Sequence, residues 1–186
     1  MNEMVEVRWH GRGGQGAWTA SELLARAAIN EGKFIQSFPE FGPERMGAPI
    51  CAFTRISNKQ IQLHCSVYNP DIVAVLDASL LETVPVTEGM REEGSLIVNF
   101  KETPQKLRKL LGIKKGTVWT VPATDIAIKF LNRPIMNTAV LGALVRATRI
   151  VKLESVEKAV SSRFSTSISE KNIGVIKEAY KEAKKG

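Results

Sequence analysis

The sequence predicts an α/β fold: a mostly parallel Rossmann-like sheet flanked by helices, with an antiparallel hairpin addition and C-terminal helices. Three observations predict it. A strand-like run at the start passes through a glycine-rich loop into an amphipathic helix. Farther on, apolar runs too continuous for a half-exposed sheet alternate with helical patterns. Turn and capping residues punctuate that alternation, the signature of strands returning over helices. Residues 1–186 read as a single domain, long enough for a full core and short for two.

The first strand is Met4-Val5-Glu6-Val7-Arg8-Trp9, which alternates and is rich in strand formers. His10 and the loop Gly11-Arg12-Gly13-Gly14-Gln15-Gly16 follow. Ala20, Leu23, Leu24, Ala27 and Ala28 then recur at the spacing of one helix face, with Gly32 as a stop. A second strand covers Lys33-Phe34-Ile35-Gln36-Ser37-Phe38. Residues 39–49 hold three prolines and two glycines, which rules out regular structure and marks a long shaped loop. Residues 50–56 and 60–67 are expected to form a hairpin around Ser57-Asn58-Lys59, with His64 on its wet face.

Asn69-Pro70-Asp71 breaks the chain before a buried strand at 72–76, which Asp77 ends while capping a helix from Ala78. A strand at 95–100, a helix at 103–111 and a strand at 117–121 follow. Thr124 or Asp125 is the expected cap of the next helix. Beyond Asn132-Arg133-Pro134 lie an apolar helix at 137–149 and amphipathic helices at 153–164 and 168–184.

Composition narrows the classes of function. Apolar content of 44% and charged content of 24% are globular values. No apolar run reaches the ~18 residues of a membrane span, and Met1-Asn2-Glu3-Met4 does not begin a secretory signal, so a cytoplasmic protein is expected. Cys51 and Cys65 read as buried, inert strand thiols, and without a C-x-x-C or a His/Cys cluster the chain brings no metal of its own. Much of the net charge of +7 gathers in Lys177, Lys181, Lys184 and Lys185. These suit a solvated helix end; an acidic partner or a polyanionic ligand is the other reading. Aromatics do not interleave with the basic residues, so nucleic acid is not indicated.

A glycine loop between strand and helix can bring backbone N–H groups close to a phosphate. Gly11, Gly13 and Gly16 satisfy the dinucleotide spacing G-x-G-x-x-G. The acid that should hold a ribose about 20 residues on is missing: Gln36 or Ser37 falls there, and Glu40 lies past Pro39. The alternative is that the glycines serve only a tight turn and close packing.

Several segments together resemble the gamma subunit of the 2-oxoacid:ferredoxin oxidoreductases, above all the pyruvate enzyme. They are His10 through Gly16, then Phe38-Pro39-Glu40-Phe41-Gly42-Pro43-Glu44-Arg45-Met46-Gly47-Ala48-Pro49, Ala52-Phe53-Thr54-Arg55-Ile56, Asn69-Pro70-Asp71-Ile72-Val73 through Asp77, and Asn137-Thr138-Ala139-Val140-Leu141-Gly142-Ala143. The resemblance implies one part of a larger enzyme that decarboxylates a 2-oxoacid on thiamine diphosphate, passes electrons through iron–sulfur clusters to ferredoxin and releases an acyl-CoA. It implies alpha, beta and delta partner chains. This sequence lacks the G-D-G and Asn-Asn pattern for magnesium and thiamine diphosphate, and its two cysteines cannot form a cluster quartet. Those cofactors are therefore expected in the partners, with this chain supplying binding and shape.

The resemblance also assigns candidate site residues. Gly11, Arg12, Gly13, Gly14, Gln15, Gly16 and Arg45 are expected to meet CoA phosphates or, in the rival reading, a partner subunit. Trp18, Phe38, Phe41 and Met46 are candidate partner contacts, and Glu44 and Arg45 can pair. The segment Pro43 through Pro49 is more similar to pyruvate and branched-chain members than to 2-oxoglutarate members, which read Arg-Gly-Gly there. Two other classes stay open: a stand-alone NAD(P)-dependent dehydrogenase using the glycine loop, and a non-catalytic CoA- or nucleotide-binding module.

Overall fold

A computed structural model describes residues 4–40 and 46–186. Among the described residues seven strands form one mixed sheet in the order β2-β3-β1-β4-β5-β6-β7. They are β1 (Met4–Arg12), β2 (Phe34–Glu40), β3 (Pro49–Ser57), β4 (Ile72–Val75), β5 (Ser95–Asn99), β6 (Thr117–Val121) and β7 (Lys184–Lys185). β1, β4, β5 and β6 run parallel, while β2–β3–β1 and β6–β7 pair antiparallel. The α/β class and the parallel core follow the sequence. The antiparallel hairpin is present too, but with β2 in place of residues 60–67.

The expected hairpin partner at 60–67 is no strand. β3 already has β1 on one edge, with Ile56 opposite Val5, and β2 on the other, with Ile56 opposite Ile35. No edge is left for a third neighbour. Residues 60–67 instead cross the sheet face, where Ser66 O accepts from Arg55 Nη2 and Leu63 O from Gln36 Nε2. Cys65 is exposed, contrary to the buried strand thiol expected, and Cys51 is half-buried. The hairpin is β2–β3, and Pro39, Glu40 and Pro49, expected in an irregular loop, lie in its strands, Pro39 and Glu40 opposite β3 and Pro49 opposite β1.

Helices α1 (Ala17–Ile29), α2 (Leu80–Thr83), α3 (Pro104–Leu111), α4 (Ala123–Leu131), α5 (Asn137–Thr148), α6 (Leu153–Arg163) and α7 (Thr166–Glu182) cover the sheet. β4 is buried on both faces, so its side chains divide between two cores. Ile72 and Ala74 join Val7 and Trp9 beneath α1, α5, α6 and α7. Val73 and Val75 join Leu80 and Leu107 of α2 and α3 on the other face. The stripe Ala20, Leu23, Leu24, Ala27 and Ala28 is fully buried, as its spacing predicts.

Smaller expectations changed. Neither Thr124 nor Asp125 caps α4, whose N-cap is Pro122; Thr124 Oγ1 accepts from Asn99 Nδ2 at 2.9 Å. α2 is a single turn after Ser79, and Asp77 accepts from the backbone and hydroxyl of Ser79. The basic C-terminal helix stops at Glu182, and Lys184–Lys185 pairs with β6. Among the described residues no helix is long and apolar enough to cross a membrane.

α5 and α7 cross closely at Gly142, where a Cβ would lie 2.5 Å from Ile176 O. Gly→Ala inside a helix ordinarily stabilises by up to about 1 kcal/mol. Here the clash reverses the sign, and Gly142→Ala should cost about 1–3 kcal/mol. A urea midpoint lowered at unchanged slope is the expected result; an equal or raised midpoint contradicts the crossing.

Candidate functional site

In an open α/β sheet, ligands bind beyond the carboxyl ends of parallel strands, where successive helices leave toward opposite faces. Here that place lies between β1 and β4, because α1 packs on one face and α2 on the other. β2 also runs in the direction of β1, both being antiparallel to β3, so the connection after β2 opens on the same edge. The two special loops meet there. Gly13 N donates to Ala48 O at 2.9 Å, and Gly47 N donates to Gly13 O at 3.2 Å.

The six-residue loop is shorter than its motif suggests. Gly11 and Arg12 belong to β1, opposite Ile50 and Pro49, and a Cβ at buried Gly11 would press within 3.1 Å of Ala17 Cβ. Arg12 N donates to Gln15 Oε1 at 2.8 Å, and Gln15 N donates to Arg12 O at 3.0 Å. The loop N–H groups of Arg12, Gly13 and Gln15 are thus engaged within the protein. Gly14 is exposed at the mouth, and Gly16, at φ 80°, leads into α1. Arg45 lies outside the described residues, as do Phe41 and Glu44.

Arg12 is engaged as well. Its Nε lies 3.2 Å from Asp77 Oδ2, its Nη2 donates to Ser79 Oγ at 2.9 Å, and its Nη1 donates to Gly47 O at 3.2 Å. Gln15 Nε2 donates to the same Asp77 oxygen at 2.7 Å. Partial burial alone would raise the Asp77 pKa, but hydrogen bonds from Gln15 and Ser79 and the Arg12 charge hold it below the usual value. Asp77, expected from the sequence as a helix cap, accepts from Ser79 and also pins the glycine loop. Asp77 follows the strand beside β1, a place only the sheet order reveals.

Beside this network opens a groove of about 550 Å³, within the size range of small-molecule sites. Gly14, Gln15, Gly16 and Thr19 form one wall, Arg133, Ile135 and Asn137 another, and Phe164, Ile168 and Lys171 a third. The starts of α1 and α5 converge on it. A Cβ on Gly16 would meet Asn137 Nδ2 at 2.5 Å, and its φ of 80° favours glycine, so the two helix ends lie close here. Asn137 Oδ1 accepts from Thr138 N, and buried Asn172 Oδ1 accepts from Thr138 Oγ1. Trp18 is 48% exposed and Met46 91% exposed beside the loop, whereas Phe38 stacks on Phe53 at 5.2 Å.

On the opposite sheet face, His10 Nε2 accepts from Arg8 Nε at 3.1 Å, and Nδ1 lies 3.4 Å from Cys51 Sγ. Accepting at Nε2 requires the neutral ring. Burial, then the Arg8 charge, lower the His10 pKa to about 4, and burial raises the Cys51 thiol to about 11. Both are unreactive at neutral pH. His64 is exposed over the sheet flank. Among the described residues no group of three or more His, Cys, Asp and Glu side chains could hold a metal ion.

The sequence matches the model of the pyruvate ferredoxin/flavodoxin oxidoreductase family over residues 6–182. It is 51% identical over 177 residues to the common gamma subunit of pyruvate/ketoisovalerate oxidoreductases of Pyrococcus furiosus, covering 95% of this chain and 96% of that one. It is 48% identical over 179 residues to the pyruvate synthase subunit PorC of Methanocaldococcus jannaschii, covering 96% and 97%. The crystal structure of the pyruvate oxidoreductase subunit PORC of Thermotoga maritima superposes with a TM-score of 0.89 at 42% identity, covering 100% and 99%.

His10 gives the fold a pH dependence. Above pH 6.5 the ring is neutral folded or unfolded. Between 6.5 and about 4 the unfolded chain binds a proton that the folded chain does not, so stability falls with pH. That gap corresponds to about 3 kcal/mol. His10→Gln should flatten the stability profile between pH 6.5 and 4; an unchanged slope would place the pH dependence elsewhere.

Proposed function

This chain belongs to the pyruvate ferredoxin/flavodoxin oxidoreductase family, and on that premise we propose that it is the gamma-type subunit, a single domain over residues 1–186, of a cytoplasmic multi-subunit enzyme. The enzyme converts pyruvate or a related 2-oxoacid, with CoA, to the acyl-CoA and CO2 and reduces ferredoxin. Alpha, beta and delta chains are its partners. Near-complete coverage on both sides of each relative is the observation that carries this reading. Thiamine diphosphate, magnesium and iron–sulfur clusters are assigned to the partners: two cysteines are too few for a cluster quartet.

The contribution of this chain is to bind and orient. Gly11–Gly16 faces the shared active site, where Gly14, Gly16 and the first turn of α1 offer a positive surface to CoA phosphates. Arg12 keeps the loop closed through Asp77. Exposed Trp18 and Met46 flank the loop and suit contact with a partner subunit. The alternative NAD(P) dehydrogenase finds no support among the relatives. The acid it needs for a ribose is absent from the expected place on β2, where Gln36 and Ser37 stand.

Native purification of the tagged chain from its own cells should bring down the other three subunits, with pyruvate- and CoA-dependent dye reduction in the eluate. A lone chain that binds NAD(H) would contradict the proposal. In the assembled enzyme Arg12→Ala should raise KM for CoA about threefold to tenfold, as loss of one charge-assisted anchor of the loop would, and leave KM for pyruvate unchanged.

A further inference from the structure

The lysines gathered near the end of the sequence divide in the fold. Lys177 Nζ lies 3.0 Å from Glu157 Oε2, and the charge of Lys181 acts on Glu178, so both meet carboxylates. Lys184 and Lys185 leave α7 for β7, opposite Thr120 and Trp119 of β6. Arg108 of α3 anchors that edge. Its Nη1 donates to Ile113 O at 3.3 Å, and its Nη2 donates to Gly116 O at 2.8 Å and to Gly186 O at 3.2 Å. Lys109 follows Arg108 in the chain, Lys114 follows Ile113, and Lys185 precedes Gly186. With Lys184 they place four exposed ammonium groups around one sheet edge. None of the four forms an ion pair with a described residue. Nearby Glu102 and Glu92 already pair with Lys106 and Lys115.

Two lysines on an edge strand serve by themselves to discourage stray strand pairing. Lys109 and Lys114 lie off the strand and carry the same charge onto α3 and the turn after it. Lys184 shares the side of Val118, Thr120 and α3, and Lys185 the opposite side with Trp119, so the charge wraps the edge. The edge itself is open. Gly186 and Val118 exchange both backbone hydrogen bonds, which turns the N–H and C=O of Lys185 outward. No described strand pairs with β7 on that side. The guanidinium of Arg108, whose fork would suit a phosphate, is spent on carbonyl oxygens. A face of one sign with an open backbone edge suits an extended segment that carries carboxylates. We propose, resting on the subunit reading above, that the α3–β7 edge docks a carboxylate-bearing segment of one partner subunit. Four like charges that repel one another in this chain alone are neutralised there, which favours the assembled state.

The test treats the assembled enzyme with a water-soluble carbodiimide, which joins an amine to a carboxylate only in direct contact. Lys109, Lys184 and Lys185 should be recovered by mass spectrometry as amides to Asp or Glu of one partner chain. Reversing them together, Lys109→Glu with Lys184→Glu and Lys185→Glu, should lower the affinity of this chain for the remaining subunits by about tenfold or more, as like charges set face to face do. That difference should shrink as salt rises. Changing the same three to Arg should keep the wild-type affinity, because the charge is preserved. An unchanged circular dichroism spectrum certifies the fold of each variant. A triple Glu chain that assembles with wild-type affinity at low salt would overturn the inference. So would shielding of these lysines that nuclease removes, since a nucleic acid would then be the occupant. A wild-type chain purified from its own cells without any partner would remove the subunit reading itself.

Discussion

The site depends on the contact between Gly16 and Asn137. At φ 80° and with an amide nitrogen 2.5 Å from where a Cβ would stand, a side chain at position 16 would strain the backbone and push the Asn137 amide aside. Asn137 is buried and anchored through Thr138 to Asn172 of α7. One glycine thus brings together three helices from opposite ends of the chain. Their starts define the groove, so its shape is set by backbone packing and by a buried polar chain that cannot be loosened piecemeal.

Beneath that contact, β1 reconciles two kinds of neighbour. Its antiparallel flank is tied by Glu6 and Arg55, whose carboxylate and guanidinium nitrogen lie 2.8 Å apart in a nearly dry setting. Such a pair adds little net stability, but leaving either charge alone would cost several kcal/mol, on the order of 3–5. It therefore fixes register between β1 and β3. Because the register carries through to Arg12 opposite Pro49, it also fixes where the glycine loop meets residues 47–48. On the parallel side β4 delivers Asp77 beside the loop. The charge that would otherwise remain free on Arg12 is paired there.

Much of this was legible in the sequence, for physical reasons. The β1–loop–α1 unit is local: strand alternation, glycines and a helix stripe are read from neighbouring residues. β4 is legible because burial on both faces leaves a continuous apolar run. The hairpin was misread because alternation at 60–67 states only that one face is wet, while pairing is decided by which edges are free, and β3 has none. Asp77 escaped notice because its role needs β4 beside β1, an adjacency across more than 60 residues. Lys171 and Arg133 carry no local signal at all. They are ordinary charged surface residues until the second turn of α7 and the segment before α5 are folded beside α1.

The most direct measurement is a cryo-EM structure of the assembled enzyme with CoA bound. The account predicts density for the phosphates at Gly14, Gly16 and the first turn of α1, with Arg12 still on Asp77. CoA bound elsewhere, with a side chain of a partner subunit filling this groove, would contradict it.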